Sequence, residues 1–445
     1  MKNPILVLGA GRSSVSLLQY LNDWLVEEGL RFTVADLDAA NLKLRTQGLS
    51  AADVLLVEGL QEESLPEITR GFQIVISLLP PPLHPMVARA CLKSGSNLLT
   101  ASYESQAMRD LRPAIEQAGL LFMNECGLDP GIDHMSAMAI IEEIRNKGGE
   151  ILRFHSFCGG LVADDCDSNP FRYKISWNPR NVVLAGKAGA RFLQNGRQAL
   201  LGYQRMFSEV EPIQIEGWGD FEAYPNRDSV PYAEVYGLDG ILDLKRGTLR
   251  KKGFCERWNV FVRAGMTDEE FPVQLPANAT WFDFLKTFFP TIQPNDFSDF
   301  EAFCGNPQVA EDILQMGFRS GSRLPDGLNG KTSADFLLEL IVQNWPLQEQ
   351  DRDLVVMLHE FWYKLDGITY RTTSSFGLEG DNALHTAMAK TVGLPLGIMA
   401  KLVLHGKVTQ KGLALPLLKN TFEPVLKELQ QFGVHFRETT QPLLK

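Results

Sequence analysis

The chain has 445 residues, a formal net charge of −11, a hydrophobic fraction of 44% and a charged fraction of 22%. That length exceeds what one hydrophobic core serves, so two or three domains are expected. The acidic balance argues against a nucleic-acid partner, which needs a basic face, and it leaves any anion site to local arginines.

The apolar run Ile5–Leu8 has no basic leader and enters a glycine turn, so it reads as a strand and not as a signal peptide. Gly9-Ala-Gly11-Arg-Ser-Ser14 follows, then an amphipathic helix to about Glu28. Strands at Phe32–Ala35, Val54–Val57, Ile74–Leu79, Asn97–Thr100 and Leu120–Met123 alternate with helices at Ala39–Thr46, Leu83–Lys93 and Glu104–Ala118. Short buried strands in this rhythm predict an α/β fold, a Rossmann-type doubly wound parallel sheet over residues 1–125.

Beyond Asn124 the pattern changes. Gly127 to His134 is a turn entering a helix, and from Glu150 to about Glu270 strands and long polar loops predominate. A mixed α/β catalytic domain over 126–279 is expected, then a small helical insertion over 280–350 broken at Pro290, Pro325 and Pro346. Residues 351–394 return to the catalytic domain. Residues 395–445 read as helices packing back on the first domain, punctuated by Pro416 and Pro424. No apolar stretch approaches the roughly 20 residues that span a bilayer, so no membrane partner is expected. The six cysteines are scattered without metal-ligand spacing, which suits reduced thiols in a cytoplasmic protein and predicts no metal.

The glycine pattern gains meaning from its place between a strand and a helix. Gly9 permits the tight turn, Gly11 lets the backbone approach a pyrophosphate, and the small Ser14 lets helix and strand pack closely. The helix N-terminus then faces the phosphates. Asp36 ends the second strand, where a carboxylate accepts from the adenosine ribose hydroxyls and repels a 2′-phosphate, so NAD is favoured over NADP. Two alternatives stand beside this. Asp36 or Asp38 could cap the next helix, or Arg12, helped by Ser13, could neutralise a 2′-phosphate. Leu78, in Ser77-Leu-Leu-Pro-Pro-Pro82, lies along the expected path from adenosine to nicotinamide.

Asn124-Glu-Cys-Gly-Leu-Asp-Pro-Gly-Ile-Asp-His134 resembles the segment joining the two domains of saccharopine dehydrogenases. Phe157-Cys-Gly-Gly160, Tyr224-Pro-Asn-Arg-Asp-Ser229, Gly247-Thr-Leu-Arg250 and Met388-Ala-Lys-Thr-Val-Gly-Leu-Pro395 are similar to the glutamate-forming family over nearly the whole chain. The resemblance implies NAD(P)-dependent oxidation of saccharopine to glutamate and 2-aminoadipate semialdehyde. It also implies that Ser102, Tyr103, Asp129, Arg227, Thr248, Leu249 and Arg250 contact the substrate. By the same resemblance Leu128, Asp129, Gly131, Ile132, Asp133, His134 and Met135 run past the nicotinamide, while Trp177 and Asn178 close over it.

The residues alone leave plainer roles open. Asp129 sits in good turn chemistry, Ser102 suits a helix cap, and either arginine could be a surface residue paired with Asp228 or Glu256. A guanidinium fork nevertheless matches a carboxylate with two hydrogen bonds, and the implied substrate carries three carboxylates. Cys126 and Cys158 could line the pocket, although the chemistry needs no thiolate. The general base is not identified. By the resemblance Asp129 reaches the substrate amine and is a candidate to relay its proton, whereas a histidine such as His134 in the first turn of a helix is more often structural. A homodimer is left open. Two rival readings remain: a reductase of another imine adduct such as a carboxylated polyamine, and a catalytically silent nucleotide-binding protein.

Overall fold

In the computed structural model, residues 3–319 and 321–443 are described. The chain divides into two units, residues 1–151 with 361–445, and residues 152–360.

The first unit is built on β1 (Ile5–Leu8), β2 (Phe32–Asp36), β3 (Ala52–Leu56), β4 (Ile74–Ser77), β5 (Asn97–Thr100) and β6 (Leu121–Met123). All are parallel, in register Ile5↔Phe32 and Ile5↔Ile74 about the central β1. Every residue of β1 is buried, as expected where helices cover both faces of a parallel sheet. A seventh strand, Gly412–Ala414, joins the far edge beside β6, giving the order 412–414, β6, β5, β4, β1, β2, β3. The alternation over 1–125 predicts only six strands. Three residues enclosed by turns and helices are too short to register as a strand in sequence.

Other departures have local causes. The single helix expected over Glu104–Ala118 is two, Gln106–Arg109 and Arg112–Ala118, because Pro113 has no N–H to continue the ladder. Pro395 and Pro424, by contrast, lie inside the helices Ala387–Leu404 and Lys419–Leu429. Ala387–Leu404 is also long and apolar enough by composition to cross a membrane, against the expectation that no stretch would be. Within this unit 72% of that window is buried, and the helix packs on Val15–Glu27. Gly393 and Gly397 make the contact possible: a Cβ on Gly397 would come 2.6 Å from the Tyr20 ring, and one on Gly393 would come 3.0 Å from Leu17 N.

The second unit carries a mixed sheet. Glu211–Ile215, Gly219–Pro225 and Asp243–Lys251 run antiparallel in turn, and Asp243–Lys251 pairs in parallel with Glu150–Val162, whose first two residues lie in the first unit. Two glycines allow this close spacing. A Cβ at Gly247 would meet Tyr224 O at 2.6 Å, and one at Gly159 would meet Leu249 O at 2.8 Å. The helix Phe254–Ala264 was not expected inside this strand-rich stretch. Its Phe, Trp and Val residues favour strands, but Phe254, Trp258, Phe261 and Val262 recur at helical spacing and are buried. They share one aromatic core with helices Trp281–Phe288 and Ser333–Asn344.

Candidate functional site

In the first unit the glycine loop has the conformation a dinucleotide needs. Gly9 has φ +103° and lies so close to Leu78 that a Cβ would come 3.3 Å from its carbonyl carbon. Gly11 is extended with no atom within 4 Å of where a Cβ would sit, leaving its backbone accessible to a phosphate. Arg12 is exposed and Ser13 half-buried, while Ser14 is buried and donates to Gly11 O at 2.8 Å. The helix Val15–Glu27 starts directly behind.

Asp36 reaches back to this loop. Its Oδ2 accepts from Ala10 N at 2.6 Å and its Oδ1 from Asp38 N at 2.9 Å. The helix cap is Asp38, whose carboxylate accepts from Ala40 N and Asn41 N. The cap belongs to Asp38, and Asp36 is a strut between β2 and the glycine loop.

At the carboxyl edge of β4 and β5 stands a buried histidine that no sequence motif singled out. His84 Nδ1 lies 3.0 Å from Ser77 Oγ, and its Nε2 lies 2.8 Å from Ser102 Oγ and 3.1 Å from Thr100 Oγ1. Burial pushes its pKa down to about 4, so it is a neutral ring that fixes the Ser102 hydroxyl.

The Gly127–Gly131 turn follows β6. Gly131 has φ +147° and a Cβ there would overlap Gly127 O, so only glycine closes the turn. Tyr103 Oη donates to Asp129 Oδ1 at 2.8 Å, bringing two expected substrate residues together. Leu128, Ile132, Asp133, His134 and Met135 are all buried. Gly131 N donates to Asp133 Oδ1 at 2.6 Å, and His134 Nε2 meets Glu125 Oε2 at 2.7 Å. Cys126 is a buried thiol against Pro395 O whose pKa burial pushes well up, so it is no thiolate.

In the second unit Arg250 is 3% exposed. Its guanidinium lies over the rings of Phe254 at 5.2 Å, Tyr173 at 5.4 Å and Tyr224 at 5.9 Å. Its Nη1 donates to Leu249 O at 3.3 Å, and among the described residues no carboxylate pairs with it. A buried guanidinium without a counter-charge costs several kcal/mol, so this box is built for an anion. Thr248 shares the face of Arg250, as alternation along a strand requires. Leu249 points the other way into an apolar cluster with Phe157, Leu354 and Val356, so its side chain is core.

Arg227 is exposed with φ 58°, a left-handed conformation uncommon for a side chain of its size. Asp228 Oδ1 accepts from Arg191 Nε at 2.9 Å. Trp177 Nε1 donates to Tyr173 Oη at 2.8 Å, which ties it to the box, and Asn178 caps the helix Pro179–Val183 through Arg180 N.

Comparison with known proteins agrees over both units. Residues 5–123 match the saccharopine dehydrogenase NADP binding domain, and residues 127–434 match the saccharopine dehydrogenase C-terminal domain. The chain is 34% identical to the mitochondrial alpha-aminoadipic semialdehyde synthase of Bos taurus, over 100% of this chain and 48% of that protein. It therefore spans about half the length of that relative. It is 30% identical to the NADP(+), L-glutamate-forming saccharopine dehydrogenase of Saccharomyces cerevisiae, over 99% of this chain and 100% of the other. The apo structure of the L-glutamate-forming yeast enzyme aligns at a TM-score of 0.87, covering 99% of this chain and 100% of that one.

Proposed function

Because the chain belongs to the saccharopine dehydrogenase family, we propose that it oxidises saccharopine at the carbon beside its secondary amine and releases glutamate and 2-aminoadipate semialdehyde. The observation that carries this reading is Arg250, a buried cation without an acidic partner, set in aromatic walls on the motif Gly247-Thr-Leu-Arg250. A carboxylate entering that box forms two charge-assisted hydrogen bonds and removes the desolvation penalty of the guanidinium. A substrate with three carboxylates gives such a residue a purpose. A carboxylated polyamine gives it less, and a silent nucleotide-binding protein gives it none.

The glycine loop fits a nicotinamide dinucleotide, which when bound accepts the hydride. The chain's own groups do the rest. The Asp129 carboxylate, oriented by the Tyr103 hydroxyl, pairs with the cationic amine and takes its proton as the hydride departs. The Ser102 hydroxyl, held by neutral His84, supplies a fixed polar contact for substrate or for the water that hydrolyses the imine. Arg227 and Thr248 offer further polar contacts to the carboxylates. On Asp36 alone the cofactor preference falls to NAD, because its charge repels a 2′-phosphate.

Purified protein given saccharopine and NAD+ or NADP+ is expected to raise the near-ultraviolet absorbance of reduced nicotinamide and to release glutamate in equal amount. No rise with either cofactor refutes the assignment.

A further inference from the structure

Ser102 and Tyr103 lie in the loop after β5, and Asp129 lies in the turn after β6. Two enclosed side chains stand between these segments: Glu125 is 3% exposed and His134 0%. The Glu125 carboxylate accepts from Glu104 N through Oε1 at 2.9 Å, and its Oε2 lies 2.7 Å from His134 Nε2, in the first turn of the helix Ile132–Asn146. The Glu125 N–H donates in turn to Ser102 O at 3.1 Å. We infer that Glu125, held by His134, is a positioning residue that clamps the Tyr103 loop to the Asp129 turn and so sets the hydrogen bond between Tyr103 and Asp129.

Burial separates the roles. Ser102, Tyr103 and Asp129 are half-buried and keep accessible surface, whereas Glu125 and His134 are too enclosed to touch a substrate. The backbone agrees, since Glu125 holds φ 56°, a left-handed conformation uncommon for such a side chain. Strain of this kind persists only where the surroundings over-determine the residue, and here its N–H and both carboxylate oxygens are engaged. The far side of the turn is fixed independently. Gly131 N donates to Asp133 Oδ1 at 2.6 Å, Ile132 N to Gly127 O at 2.8 Å and Asp133 N to Leu128 O at 3.0 Å. Held from both sides, Asp129 Oδ1 meets Tyr103 Oη at 2.8 Å. A proton acceptor gains much from being fixed in this way, because a misplacement of about 1 Å costs on the order of 10²-fold in rate.

This role rests on the reading of Asp129 as the group that takes the amine proton, and the experiment separates the two. In the full chain, Glu125→Asn suits the left-handed backbone but is one methylene too short to span both contacts. It is expected to lower kcat for saccharopine roughly 10–100-fold while KM changes less than about threefold. Tyr103→Phe should lower kcat as well, and the double variant should be no slower than the slower single variant, since both changes remove one arrangement. Glu125→Gln, with the full side-chain length, should recover part of kcat. If circular dichroism shows that Glu125→Asn does not fold, His134→Leu takes its place in the same comparison. Wild-type kcat in Glu125→Asn, losses that multiply in the double variant, or equal loss in Glu125→Asn and Glu125→Gln overturns the assignment. Amide hydrogen exchange reads the clamp without turnover: residues 102–106 and 125–135 should both exchange faster in Glu125→Asn than in wild type. If wild type does not oxidise saccharopine, the substrate reading falls and the clamp is judged on exchange alone, where unchanged rates overturn it.

Discussion

Arg227 and Arg250 stand in similar sequence settings, yet their environments differ sharply. Arg250 is enclosed by three aromatic rings, whereas Arg227 is exposed on a left-handed backbone. The consequence of losing each should differ accordingly. Arg250→Ala leaves a substrate carboxylate facing an apolar box and is expected to lower kcat/KM for saccharopine by roughly 2–5 kcal/mol of transition-state binding. Arg250→Lys should recover little, since a point charge cannot replace the planar fork. Arg227→Ala should lose less, because solvent can replace an exposed cation. Steady-state kinetics of the three variants, beside nucleotide titrations that should stay unchanged, decide the matter. Wild-type kinetics in Arg250→Ala would leave the aromatic box without a role in substrate binding.

Among the elements, the helix Ala387–Leu404 holds the glycine loop in place. Gly393 lies beneath that loop, where a Cβ would come 3.1 Å from Ser13 O, while Gly397 faces the Tyr20 ring a turn further along. Gly397→Ala should therefore act as overpacking and destabilise the fold by about 1–3 kcal/mol. Gly393→Ala should show itself chiefly as weaker nucleotide binding. Urea unfolding and nucleotide titration of both variants separate the two effects; equal nucleotide affinity in Gly393→Ala and wild type would mean the loop does not feel the helix. Nothing local in sequence announces this contact. The β1–glycine–helix unit was legible because every signal in it is local: a buried run, a turn and an amphipathic period. The motif residues Tyr103, Asp129 and Arg250 were legible by resemblance, and the structure joins the first two by a hydrogen bond. His84 and the strand Gly412–Ala414 were not, because their partners lie further along the chain or depend on which way one side chain turns.

For the whole molecule, acid is the informative stress. His84 is held neutral by burial, with its pKa lowered from 6.5 to about 4. The unfolded chain therefore binds a proton that the folded chain refuses between those values. Stability from this residue is complete above pH 6.5 and falls as pH drops toward 4, by at most about 1.4 kcal/mol per pH unit. Urea unfolding at pH 7.5 and pH 5 should show the loss, and His84→Gln, which keeps two polar contacts without titrating, should show less of it. An identical acid dependence in that variant would place the effect elsewhere. The seventh strand bears on a different question, the order in which a newly made chain takes shape. Residues of β1 to β6 leave the ribosome before those of the second unit, yet their sheet lacks its last strand until Ala414 has been added, and the glycine loop lacks its supporting helix until Leu404. Residues 152–360 are complete well before that. Of the two units, the one begun earlier is thus the one completed later, and a nucleotide stabilises the nascent chain fully only once residue 414 has been added.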